Sequence, residues 1–154
     1  RHDMTTVNDP FAAAPQLMKQ WMGVSLTVQD SLEASLIELV KIRASILNAC
    51  ANCINMHTAE ARAKGETEQR IYLLAAWQEA PVYTPRERAA LAWTDALTRL
   101  SEGHTQQTAK DGLEAHFTAE EQVKLTLMIN IINGWNRIAV GFDLWLATPA
   151  AKAA

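Results

Sequence analysis

The chain has 154 residues, a formal net charge of −3 and acidic and basic residues mixed along its length. That length suits one domain, able to bury roughly 68–70% of the surface its unfolded chain would expose, with no need of a disulfide or metal staple. No basic block or stripe argues for a nucleic-acid partner or for an anionic membrane surface.

The elements read as helices throughout, with no β-hairpin turn between alternating segments. Residues 1–13 are expected to be extended or disordered, and Arg1-His2-Asp3 precede a candidate start at Met4. The first helix spans Ala14 to Val28, with Leu17, Trp21, Val24 and Val28 at helical spacing. A second opens at Asp30 or Ser31, where Asp30-x-x-Glu33 has capping-box form, and carries Leu36, Leu39, Val40 and Ile46 on one face. A third runs from near Cys50 to Gly65, a suitable residue just beyond a helix end. A short fourth covers Thr67 to Trp77 and is over by Ala80-Pro81, because a residue before proline avoids the helical region.

Thr84-Pro85-Arg86-Glu87 combines an N-cap, a first-turn proline and a capping box, and opens a fifth helix to Leu100. Ser101-Glu102-Gly103 closes it. A helix over Gln106–His116 follows, and Thr118-x-x-Glu121 caps a long last helix to about Val140 with Val123, Leu127, Ile131 and Ile138 in register. Gly134 within it costs about 1 kcal/mol against alanine, so a close helix crossing is expected there. Residues 147–154 read as a frayed tail, leaving one domain over 14–146. Thr126, Asn130 and Asn133 interrupt the most apolar helix, so none reads as a membrane span. Arg1–Pro10 holds no apolar signal core. The expected setting is the cytosol, where a C-x-x-C pair is more often catalytic or metal-binding than structural.

Both cysteines of the chain, Cys50 and Cys53, lie at that spacing, and His57 follows four residues later. Residues three and four apart share a helix face, so the two thiols and a possible base form one stripe. The start of a helix favours a thiolate. Each thiol can resolve the oxidised form of the other. His57 can take or relay a proton. Glu38, on the preceding helix, can be brought back onto His57 to orient it. Spacing alone leaves three readings open: dithiol redox chemistry, a zinc site from Cys50, Cys53, His57 and Glu38, or two unreactive buried cysteines.

The run Glu38-Leu-Val-Lys-Ile-Arg-Ala-Ser45, then Cys50-Ala-Asn-Cys-Ile-Asn-Met-His57, then Ala61-Arg-Ala-Lys-Gly-Glu66 resembles the carboxymuconolactone decarboxylase superfamily, and within it the AhpD-like alkylhydroperoxidase branch. The likeness continues through Glu68-Gln-Arg-Ile-Tyr72, Glu87-Arg-Ala-Ala-Leu-Ala-Trp93 and Asn133-Gly-Trp-Asn-Arg137. It implies an all-α, single-domain bundle of six to seven helices, assembled as a homo-oligomer, a trimer or hexamer. It implies a thiol-dependent peroxidase that reduces organic hydroperoxides with no metal or other cofactor. In that scheme Cys53 attacks the peroxide and Cys50 resolves it. The disulfide then exchanges with a thiol or dithiol reductant, and His57 and Glu38 relay protons. AhpD carries a histidine where this chain has Asn52, which cannot titrate. The decarboxylase branch lacks the cysteine pair, which disfavours lactone decarboxylation. A protein thiol–disulfide reductase or redox sensor would use the same cysteines, and a zinc-binding module the same four residues.

Other residues receive plainer readings. His104 reads as a solvated loop residue and His116 as a helix-end cation. Tyr72 and Trp77 read as core packing. Asn133, Asn136 and Arg137 suggest a structural network or a subunit contact. Arg43 and Arg62 read as helix-surface charges, and Met18, Met22 and Met128 as core or interface filling.

Overall fold

The structure, a computed structural model, describes residues 9–103 and 106–146. Among these residues eight α-helices and two short 3-10 turns form an all-α bundle, and no strand occurs. The helices are α1 (Pro10–Ala13), α2 (Pro15–Gln29), α3 (Ala34–Leu47), α4 (Ala51–Ala63), α5 (Glu68–Tyr72), α6 (Pro85–Thr98), α7 (Gln106–His116) and α8 (Ala119–Gly141). His104 and the tail from 147 lie outside the described residues, as does the N-terminus before Asp9. Helix α1 sits inside the segment expected to be extended; the Asp9 carboxylate caps it by accepting from the Phe11 N–H at 2.9 Å.

Helix α3 is the axis of the bundle and packs against α4, α6 and α8. Every residue from Leu36 to Ser45 is buried, as an all-round covered helix requires. Its polar residues are therefore paired inside the protein. Arg43, expected on the surface, is 5% exposed. Its guanidinium donates Nε to Asp95 Oδ1 at 2.7 Å, Nη2 to Asp95 Oδ2 at 3.1 Å and Nη1 to the Leu74 carbonyl at 3.0 Å. Trp77, expected in the core, is buried and donates its indole N–H to the same Asp95. Tyr72, also expected there, is 66% exposed instead. Arg62 does lie on the surface, paired with Glu68.

Local signals placed most boundaries. Both threonine capping boxes form: Thr84 Oγ1 accepts from the Glu87 N–H at 3.1 Å, and Thr118 Oγ1 from the Glu121 N–H at 3.2 Å. The box expected at Asp30 does not form. Helix α2 runs on to Gln29, the Asp30 N–H closes it on the Leu26 carbonyl, and Glu33 becomes the N-cap of α3 without a side-chain bond.

Two apolar stripes divide between core and surface, with Val28 of one and Ile131 of the other buried. Helix α2 buries Met18, Ser25 and Val28 and leaves Leu17 and Val24 exposed. Helix α8 buries Leu125, Met128, Ile129 and Ile132 and leaves Val123 and Leu127 exposed. The expected close crossing is present: a Cβ on Gly134 would stand 2.6 Å from the Trp21 ring.

Candidate functional site

The cysteines stand where one helix ends and the next begins. Helix α3 closes in a Schellman motif: the Ala49 N–H bonds the Ile46 carbonyl and the Cys50 N–H the Ser45 carbonyl, with Ala49 at φ 52°. The reversal is held from α8. Asn48 Nδ2 donates to Asn133 Oδ1 at 2.9 Å and Asn136 Oδ1 at 2.8 Å, while Asn136 Nδ2 donates to Ser45 Oγ at 3.1 Å. The expected network of Asn133 and Asn136 is thus a structural one. Cys50 is then the N-cap of α4, and its Sγ accepts from the Cys53 N–H at 3.3 Å. A sulfur in that position faces the unpaired N–H groups and positive end of the helix, which favours a thiolate once the pair is reduced.

Cys50 and Cys53 form a disulfide, with Cα atoms 5.3 Å apart, and are 1% and 4% exposed. Their surroundings differ. Cys53 lines a cavity of about 270 Å³ walled by Phe11, Met22, Leu26, Met56, Met128, Ile132, Trp135, Ala139, Leu144 and Leu146. Polar groups of Gln29, Lys41, Asn52, His57 and Glu60 also line it. Cys50 lines a more open groove with Ala49, Ala51, Val140, Asp143 and Trp145. Phe11 reaches the cavity from α1 and stacks on Trp135, with centroids 6.2 Å apart.

His57 is hydrogen-bonded to Glu60, not to Glu38. Its Nδ1 stands 3.1 Å from Glu60 Oε2. An ionised carboxylate only accepts, so Nδ1 is the donor and Nε2 is left available for proton transfer. The same hydrogen bond is the main reason the Glu60 carboxyl is lowered to about 2.

Glu38 is buried and turned to lysines. Its Oε1 accepts from Lys64 Nζ at 2.7 Å and lies 3.2 Å from Lys41 Nζ. Glu38 Oε2 has no partner among the described residues. The Lys64 ammonium is held above its ordinary range, chiefly by that hydrogen bond. Lys41, itself buried, also donates to Gln29 Oε1 at 3.1 Å and Glu60 Oε2 at 3.4 Å. The result is a continuous line of ionisable groups, Lys64–Glu38–Lys41–Glu60–His57.

Of the four residues expected from spacing, the disulfide joins Cys50 and Cys53. His57 is one turn further along α4, and Glu38 stands behind Lys41. Glu60 and Lys41 were not anticipated; the one signal for Glu60 was its place three residues after His57.

The same acidic groups bear on metal binding. One ligand atom each from Glu38, His57 and Glu60 lies within 4.8 Å of the others, and no cysteine belongs to that group. This does not match the expected zinc set. Two ammonium groups already match the carboxylate charge there, so the trio is a poor fit for a cation.

The profile of the carboxymuconolactone decarboxylase family matches residues 15–96. YdfG of Bacillus subtilis, itself uncharacterized, is 43% identical over 131 residues, which are 84% of this chain and 89% of YdfG. Among solved structures, protein ATU0492 of Agrobacterium tumefaciens superposes with a TM-score of 0.87 at 44% identity. The match covers 94% of this chain and all of that one; ATU0492 is of unknown function and provisionally named as the antioxidant defence protein AhpD. The debrominase Bmp8 has the same fold, with a TM-score of 0.80 at 20% identity over 93% of this chain and 77% of its own.

Proposed function

Because the chain belongs to the carboxymuconolactone decarboxylase family and lines an apolar cavity with one of two paired cysteines, we propose that it is a thiol-dependent peroxidase for organic hydroperoxides. The observation that carries the reading is the asymmetry of the pair: Cys53 faces the more enclosed apolar cavity beside His57, and Cys50 faces the more open groove.

In the reduced protein the Cys53 thiolate attacks the terminal oxygen of the hydroperoxide, and the O–O bond breaks. A sulfenic acid forms on Cys53, and the alkoxide that leaves takes a proton from His57 Nε2. The Glu60 carboxylate, kept ionised, accepts from Nδ1 and holds the ring with Nε2 free for proton transfer. Glu38 supports this from behind by fixing Lys41 and Lys64. Deprotonated Cys50 sulfur then attacks Cys53 Sγ and expels hydroxide, which the released proton converts to water. A thiol or dithiol reductant, small or protein-borne, restores both thiols and leaves oxidised. The apolar walls suit an alkyl or aryl group on the peroxide. No metal or other cofactor enters these steps.

We place the protein in the cytosol, as a homo-oligomer of trimer or hexamer type, without a nucleic-acid or membrane partner. Among the described residues no helix is long and apolar enough to cross a membrane.

The test is one equivalent of cumene hydroperoxide added to reduced protein. Two thiols should disappear together, with an intact-mass loss of two hydrogens and one equivalent of alcohol formed. Cys53→Ser consuming the peroxide as fast as the parent would sink the assignment. If a model disulfide instead oxidises the pair far faster than any hydroperoxide, the protein is a thiol–disulfide reductase or redox sensor.

A further inference from the structure

We propose that Asn52, the residue between the cysteines, sets the size of molecule that reaches Cys53 by latching residues 142–146 across the cavity. The identity of the substrate rests on the peroxidase reading above; the latch itself does not.

The segment is delivered by a second Schellman motif. Asp143 at φ 52° ends α8, and the Leu144 N–H bonds the Ala139 carbonyl at 2.9 Å. This turns Leu144 onto the disulfide, where it packs with Cys50, Cys53 and Ala139. Two residues on, the Leu146 N–H donates to Asn52 Oδ1 at 2.7 Å. The Leu146 carbonyl accepts from Asn55 Nδ2 at 3.5 Å, at the edge of hydrogen-bond reach. Among the described residues Leu146 makes no other hydrogen bond, and its side chain is half exposed.

Leu144 and Leu146 are both walls of the Cys53 cavity. Asn52 is 8% exposed, so its acceptor is a built one and not a passing surface contact. Its amide nitrogen is 3.6 Å from Met56 Sδ, another wall residue. One side chain therefore joins the segment to the α4 wall of the cavity. It replaces proton relay, which an amide cannot perform by titrating, with control of access.

The measurement is alkylation of Cys53 in reduced Cys50→Ser protein by iodoacetamide and by the bulkier N-phenylmaleimide. Asn52→Leu keeps the number and branching of the heavy atoms and removes the acceptor, so the bulky-to-small rate ratio should rise several-fold. Asn52→Asp keeps the acceptor. Its new charge alters thiol reactivity toward both reagents alike, so the ratio should stay near that of the parent.

Leu146→Pro deletes the N–H from the other side, whereas Leu146→Ala keeps it. The proline variant should exceed the alanine variant in that ratio, which decides the matter should Asn52→Leu fold poorly. An unchanged ratio in folded Asn52→Leu, equal ratios in the two Leu146 variants, or a rise as large in Asn52→Asp overturns the latch. If the ratio moves as expected while no variant with both cysteines consumes hydroperoxide, the latch stands and the peroxidase reading falls. With both correct, the Asn52→Leu protein that retains Cys50 should also lose discrimination between cumene hydroperoxide and hydrogen peroxide in kcat/KM.

Discussion

Lys41 carries a charge at a position 2% exposed to solvent. Its ammonium is tolerable there because Glu38, Glu60 and Gln29 each supply an oxygen within 3.4 Å. Removing Lys41 leaves the buried Glu38 with Lys64 as its one remaining cationic partner among the described residues. Lys41→Met should therefore cost about 3 kcal/mol in urea denaturation. The double variant with Glu38→Leu should cost less than the sum of the two single changes, because both single changes break the same buried Lys41–Glu38 contact. Additive losses would show that the two charges are not coupled.

Glu60 gives a prediction in pH. Its folded-state carboxyl is lowered from 4.5 to about 2. A depressed carboxyl contributes stability that is present above the unfolded value and lost as pH falls toward the folded one. The parent should thus lose stability relative to Glu60→Gln as pH drops from about 4.5 to about 2, and keep its full advantage at neutral pH. Thermal melts of both proteins across that range check it. The Glu60 side chain is partly exposed, so solvent screening keeps the advantage small.

The placement of Cys53 and His57 one turn apart was legible in the sequence because helical geometry sets it, whereas Cys50 precedes the helix as its N-cap and opens to the other groove. Glu60 was not, because an acidic residue in an amphipathic helix ordinarily faces water. Lys41 was not, because its burial depends on elements distant in sequence closing over α3.

At the level of elements, α8 meets α2 at Gly134. An alanine there would add roughly 1 kcal/mol of helix propensity. Its Cβ would also enter the space of the Trp21 ring, 2.6 Å from the nearest carbon. That ring is itself packed on Trp135, with centroids 5.7 Å apart, and has little room to retreat. Overpacking of this kind costs about 1–3 kcal/mol, so Gly134→Ala should be destabilising in the net by about 1 kcal/mol. A rise in Tm would mean that Trp21 yields freely.

Caps and stops were readable wherever the signal was local, as at Thr84, Thr118 and Gly65. They failed at Asp30, where one residue could either open α3 or close α2. The choice fell to closure because α2 extends to Gln29. The Ala49 turn gave no warning either. A non-glycine residue at positive φ costs about 1–2 kcal/mol. It is held here by asparagines reaching from α8, a contact that no local pattern encodes.

The whole molecule poses the question of what its outward apolar stripes are for. Leu17 and Val24 lie two turns apart on α2 and are 69% and 46% exposed. Val123 and Leu127 lie one turn apart on α8 and are 59% and 44% exposed. Periodicity identified these residues as apolar stripes but could not say which side the core would take. Helix α8 has a second stripe, Leu125, Met128, Ile129 and Ile132, and that one packs inward.

Covering a valine or leucine is worth about 1.5–3 kcal/mol per side chain, enough for self-association to compete with its entropic cost when several are covered together. Light scattering at micromolar concentration should therefore give a multiple of the 17.0 kDa chain mass, as a trimer or hexamer. The Tm should rise with protein concentration, as it does whenever association stabilises the folded state. Leu17→Glu with Val24→Glu should convert the assembly to monomer while leaving the helical circular dichroism intact, since neither side chain is in the core. A parent protein that scatters as a monomer would refute the assembly. A parent oligomer that survives both charges, and also Val123→Glu with Leu127→Glu, would place the interface on another face.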